Sequence, residues 1–181
     1  ALTATNFEQR DKGFATELLY GTLRMQGRHD YIASQVSDRP WSEVDDGIVD
    51  VVRLGAHQLF EMRVPSHAAV SATVELARKV IGESKASFVN ALLRKMSAKS
   101  LEEWLEPAQQ INDPVERLAI IYSHPEWIVS AYFDLLRDFD EVEALLAANN
   151  VAATPTIVWW PGRSNAAEFI DLGATATRYS T

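Results

Sequence analysis

The chain has no cysteine, and that absence removes several chemistries at once. Disulfides, thiolate metal sites and a cysteine nucleophile are all excluded. No apolar run approaches the roughly 18–20 residues that a membrane-spanning helix needs. The first residues, Ala1-Leu2-Thr3-Ala4-Thr5-Asn6, lack the basic start and apolar core of a signal peptide. Glycine is sparse and scattered, at positions 13, 21, 27, 47, 55, 82, 162 and 173, and builds no glycine-rich phosphate or nucleoside loop. His29, His57, His67 and His124 show no metal-ligand spacing, so no metal is expected. His67, just inside a helix start, is expected to bond a nearby backbone group. The pairs Glu102/Glu103 and Glu141/Glu143 lie near helix starts, where the helix dipole favours them, and do not make acid/base pairs. The expectation is a soluble, cytoplasmic protein with no membrane partner.

What remains is ample for a core. The 181 residues are 47% hydrophobic, enough for one domain and part of another. The chain opens without Met, and residues 175–181 trail off without a closing element, so a fragment of a longer protein is expected. The formal charge of -8 conceals an asymmetry. Residues 1–100 are close to neutral at net +1, and residues 101–181 carry net −9. Within residues 53–99, eight basic residues face only Glu61, Glu75 and Glu83, a local excess of +5. Screening limits the reach of charge to about 8–10 Å, so this local excess decides whether phosphate is attracted.

Apolar spacing predicts helices nearly everywhere up to residue 150. One runs from Asp11 to Met25 on Phe14, Ala15, Leu18, Leu19, Thr22 and Leu23, with Gly27 as its stop. A short helix at Asp30–Val36 follows, then a break at Pro40 with Trp41 plugging an apolar face. Another spans Val44–Phe60, where Gly55 costs about 1 kcal/mol against Ala and implies a close helix crossing. Ser66 is the expected N-cap of a helix over His67–Ile81, stopped by Gly82. The next helix, Lys85–Ser97, buries Phe88, Val89, Leu92, Leu93 and Met96 and sets Asn90 four residues before Arg94. Capping patterns at Ser100/Glu103, Ser123/Glu126 and Asp113-Pro114 open further helices near Val115–Ile121, Glu126–Arg137 and Glu141–Ala148. Then Thr156-Ile157-Val158-Trp159-Trp160, between Pro155 and Pro161-Gly162, has strand composition, and Ser164–Leu172 reads as a short helix. The fold class expected is mainly α, a helical bundle followed by the start of a small α+β domain.

A family resemblance is carried by Phe14-Ala15-Thr16-Glu17-Leu18 with Tyr20-Gly21-Thr22-Leu23-Arg24, and by Arg53-Leu54-Gly55-Ala56 with Gln58-Leu59. It continues through Val64-Pro65-Ser66-His67, Ser87-Phe88-Val89-Asn90, Tyr122-Ser123-His124-Pro125 with Trp127, and Ala147-Ala148-Asn149-Asn150. The chain resembles the N-terminal NusB-like region of Fmu/Sun-type 16S rRNA cytosine-5 methyltransferases. The resemblance implies an all-α RNA-binding domain over 1–100, then a helical linker and the beginning of a connecting domain over 101–181. It implies small-subunit rRNA as partner, held by its backbone. It also implies S-adenosylmethionine and a catalytic methyltransferase domain beyond this stretch, and no cofactor or catalytic residue within it. The competing resemblance is to NusB itself, an antitermination or ribosome-assembly factor that binds RNA and a protein partner.

The residues expected to meet RNA are Arg24, Arg28, Arg78, Lys79, Lys85, Arg94 and Lys95. Charged residues also cover ordinary helix exteriors, so a solvated face competes with a phosphate-contacting one. Arg24 and Arg28 could equally complement a helix dipole. Asn90 is expected to hold a neighbouring loop. At least one of Trp159 and Trp160 is expected to be exposed, facing either a further domain or a base.

Overall fold

The computed structural model describes residues 8–151, 156–160 and 162–177. The opening residues 1–6, and Pro155 and Pro161 beside the expected strand, lie outside the described residues. The elements are α1 (Gln9–Arg24), α2 (Gln26–Val36), a one-turn 3-10 helix (Trp41–Glu43), α3 (Asp46–Phe60), α4 (Ser66–Ile81) and α5 (Glu83–Met96). They continue as α6 (Leu101–Gln109), α7 (Pro114–Ile121), α8 (Glu126–Leu136), α9 (Phe139–Asn150) and α10 (Ala166–Asp171). The fold is all-α, as the periodicity predicted, and no helix among the described residues is long and apolar enough to cross a membrane.

The chain divides between Asn150 and Val151 into two compact units. The first contains two apolar cores. One gathers Ile32 of α2, Val52 of α3, Val74 and Ala77 of α4, and Val89, Leu92, Leu93 and Met96 of α5. Trp104 of α6 joins it, its Nε1 donating to Met96 O at 2.8 Å, so α6 is anchored to the bundle before it. Each fully buried aliphatic side chain there contributes about 1.5–3 kcal/mol. The other core gathers Leu118, Val129, Val142 and Leu146 from α7, α8 and α9, with Phe133 stacked on Phe139 at 4.1 Å. Gly55 does mark a crossing. A Cβ there would stand 2.7 Å from both Leu93 methyls and 3.1 Å from Thr73 Cγ2.

Polar bonds fix the helices around these cores. Asp30 accepts from Arg53 Nε and Nη2 at 2.8 and 2.6 Å and from Trp41 Nε1 at 3.0 Å, which pins the 3-10 turn over α2 and α3. Two histidines lie inside the bundle. His29 is fully buried and His57 nearly so, their rings edge to face at 5.6 Å; no ring nitrogen of the two makes a hydrogen bond among the described residues, and His57 Nε2 lies 3.7 Å from Glu17 Oε1. Burial, then the neighbouring His57, Arg28 and Arg53, pushes His29 down to about 3. Burial also lowers His57, against the opposing pull of Glu61 and Glu17.

Several local expectations are corrected. Gly27 does not stop a helix: α1 ends at Arg24, and α2 begins at Gln26 and runs through Gly27. Only the face of α1 through Ala15, Leu18 and Thr22 is covered, while Phe14, Leu19 and Leu23 remain exposed, because α1 packs on one side only. Pro65, not Ser66, occupies the N-cap of α4. Ser123 caps nothing: it sits at φ 55 in the turn, α8 starts after Pro125, and its Oγ accepts from Arg28 N at 3.3 Å. Ser100 and Glu103 do form the reciprocal capping box, and Asp113 caps α7 with Pro114 at its first position.

The second unit departs most from expectation. Asn165 caps α10 by accepting from Glu168 N at 3.2 Å. The strand expected at residues 156–160 does not form among the described residues, and Ile157, Val158, Trp159 and Trp160 are all exposed. A strand exists only through ladder bonds to a neighbour, and no described residue is in a strand that could supply them. The α+β character is therefore absent from the described residues.

Candidate nucleic-acid interface

Helices α4 and α5 form an antiparallel pair joined by Gly82 alone, whose φ of 93 permits so abrupt a turn. Their apolar faces feed the first core. Val70 and Val74 sit at the inner edge of α4, and the adjacent positions 67, 71 and 78 recur at helical spacing along its rim. On α5, Asn90, Arg94 and Ser97 form the matching rim. Between the rims lies an open cleft of ≈ 440 Å³, lined by these residues and Ser66.

The cleft is electrostatically one-sided. Arg78 and Arg94 line it, and no carboxylate does. Arg94 donates from Nε to Asn90 Oδ1 at 3.2 Å, and that neutral amide leaves its charge uncompensated. Arg78 meets Glu83 at 3.0 Å, with both side chains more than half exposed. A pair in that setting is worth about 0–1 kcal/mol and yields readily to another anion. The His67 side chain makes no hydrogen bond among the described residues, contrary to expectation. Asn90 holds no loop; it steadies Arg94 at the cleft wall. Two guanidiniums flanked by amide, imidazole and hydroxyl groups suit a phosphate, which accepts in-plane bonds from arginine forks.

The other basic residues are placed differently. Lys79 pairs with Glu75 along α4 at 2.7 Å, and Lys85 with Asp45, the N-cap of α3, at 2.8 Å. Each lysine holds its carboxylate below the ordinary range, chiefly by hydrogen bonding. Lys95 reaches back to Val36 O at 3.1 Å and to Asp38 at 3.2 Å. Arg28 is committed internally. It donates from Nε and Nη2 to Ile121 O and from Nη1 to Glu61 Oε1 at 2.8 Å, bridging α2, α3 and the end of α7. Arg24 stands half-buried at the end of α1, away from the cleft lining. The fold thus brings Arg78 and Arg94 together and leaves the other five elsewhere. The sequence reading missed Ser66, His67, Ser71 and Ser97 as lining residues. Their signal was a polar stripe beside each apolar stripe, which acquires meaning only when α4 and α5 are known to face each other.

Comparison with known proteins matches residues 1–98 to the NusB family. A Mycobacterium tuberculosis protein that carries a methyltransferase name is 38% identical over 176 residues, covering 94% of this chain and 38% of its own length. Ribosomal RNA small subunit methyltransferase B of Pseudomonas putida is 33% identical over 182 residues, covering 96% of this chain and 39% of the relative. The protein of the same name from Pseudomonas syringae is 32% identical over 143 residues, or 79% of this chain and 30% of the relative. The chain therefore spans less than two-fifths of these relatives.

Proposed function

Because the chain belongs to the NusB family, we propose that it is the RNA-binding N-terminal portion of an S-adenosylmethionine-dependent rRNA (cytosine-5) methyltransferase. Its role is to hold small-subunit rRNA by the backbone, in the cytoplasm, so that a catalytic domain downstream meets its target at high effective concentration. The observation that carries this reading is the α4–α5 cleft, with two arginines and no carboxylate in its lining. Residues 1–100 supply the RNA-binding bundle and residues 101–181 connect it to the catalytic part. An antitermination or ribosome-assembly factor of the NusB type is the competing reading. The extent of the match to proteins named as methyltransferases, well past residue 98, favours the enzyme.

Nothing in the described residues fits S-adenosylmethionine. The positive-φ glycines Gly82, Gly162 and Gly173 stand far apart in the chain and form no loop around a nucleoside, and no step is assigned to that group. The phosphate contacts are tested by gel shift of a small-subunit rRNA fragment at several salt concentrations. Changing Arg78 and Arg94 together to Ala should weaken binding and flatten the log–log salt slope by about 0.7, the value for the one single-strand phosphate they would share. Unchanged affinity and slope would make the cleft an ordinary solvated surface.

A further inference from the structure

A second cleft of ≈ 290 Å³ adjoins the first and shares Ser66 and Ser97 with it. Its lining is of another kind: Leu59 and Phe60 at the end of α3, and Lys99, Ser100, Leu101 and Glu102 at the start of α6. The two clefts form one trench in which charge is segregated. Arg78 and Arg94 line the first cleft, and the only carboxylate in either lining, Glu102, belongs to the second. Leu59, Phe60 and Leu101 are half-buried and packed against the first core, so they offer a fixed apolar wall. Lys99 is steadied over the Trp104 ring at 4.6 Å. Glu102 is exposed, and bonds from its own backbone N–H and from Ser100 hold its carboxyl below the ordinary range, so it stays an acceptor.

A carboxylate placed beside a phosphate site is unhelpful to a surface that only tracks RNA backbone. It is useful where a base must be read, since it accepts from an exocyclic amino group. The volume falls just below the roughly 300–1,000 Å³ of small-molecule sites, which suits a single base better than a larger ligand. The geometry points to a nucleotide site: one unpaired ribonucleotide lies along the trench, its phosphate at Arg78 and Arg94 and its base on the Phe60–Leu101 wall with Glu102 as acceptor. This inference rests on the RNA-binding reading above and adds two things to it. The bound segment is unpaired, because a base held in a duplex cannot reach the wall. The base carries an amino group on its pairing edge, because uracil presents a carbonyl oxygen where cytosine presents N4, and that oxygen would face Glu102.

The test is fluorescence anisotropy with the full chain and labelled ten-nucleotide strands of cytidine or uridine, and an RNA duplex of equal length. Oligocytidine should bind on the order of tenfold more tightly than the duplex, reflecting one seated base, and more tightly than oligouridine. Glu102→Ala provides a test by sign. If Glu102 only repels RNA, its removal strengthens every complex. If it accepts from the base, its removal weakens oligocytidine at least threefold and leaves oligouridine unchanged or tighter. Glu103 still completes the capping box in this variant, and circular dichroism confirms that the fold is kept. Equal affinity for all three ligands, or tighter oligocytidine binding by Glu102→Ala, overturns the nucleotide site. In that case a loss of binding on changing Arg78 and Arg94 would still uphold the RNA-binding reading. If that double change has no effect, the RNA-binding reading falls as well.

Discussion

Acid should weaken this protein in a window where carboxylates are still silent, and His29 sets the size of the effect. Its ring is fully buried in α2, with no protein partner on either nitrogen and with Arg28 and Arg53 nearby. The folded state therefore holds it neutral, with its pKa pushed from 6.5 to about 3. A lowered histidine pKa means the unfolded chain takes up the proton first, so stability falls with pH once pH drops below about 6.5. The contribution is intact above 6.5 and is lost progressively down to about 3. Each pH unit in that window is worth about 1.4 kcal/mol, so between pH 7 and pH 5 His29 should cost about 2 kcal/mol. His57, lowered in the same direction, adds to it. With a urea m-value of about 2 kcal/mol/M, the denaturation midpoint should fall by about 1 M. His29→Leu, similar in size and lacking ring nitrogens to desolvate, should be nearly as stable at pH 7 and lose much less at pH 5. Equal pH 7-to-5 losses in the wild type and the variant would refute the argument, as would a wild-type loss under about 0.5 kcal/mol.

Two further perturbations probe the packing. Gly55→Ala gains about 1 kcal/mol in helix propensity but drives a methyl into Leu93 and Thr73. Overpacking of about 1–3 kcal/mol should dominate and lower the thermal midpoint, whereas a rise would show that α5 gives way freely. Arg28→Ala removes the donors to Ile121 O and the partner of Glu61 across three helices. It should cost about 2 kcal/mol in chemical denaturation while leaving RNA affinity within about twofold; a large fall in affinity at unchanged stability would return Arg28 to the RNA surface.

Legibility followed the range of the interactions concerned. The helices of the first hundred residues were readable because each apolar stripe is a local pattern, and α4 and α5 were located within two residues at each end. The caps at Ser100 and Asp113 were readable for the same reason. Ser123 was misread because the same hydroxyl signal serves a turn, and only the approach of α2 shows that its oxygen accepts from Arg28 N. Gly27 was misread as a stop because the break between α1 and α2 lies at Met25, which carries no sequence mark. The segment 156–160 has strand composition, but composition supplies no ladder partner.

The basic residues show the same division most clearly. Sequence alone determined the helices, the buried faces of α3, α4 and α5, the family and the local excess of positive charge over residues 53–99. It could not determine which charges are free, because that depends on carboxylates and carbonyls brought close by packing. Lys85 meets Asp45 from forty positions earlier, Lys95 meets Val36 and Asp38, and Arg28 meets Ile121. Only the tertiary structure sorted seven candidate cations into two that line a cleft and five placed elsewhere. A helix fixes the neighbours three and four residues away; only the packing of one helix on another decides what faces the remaining side.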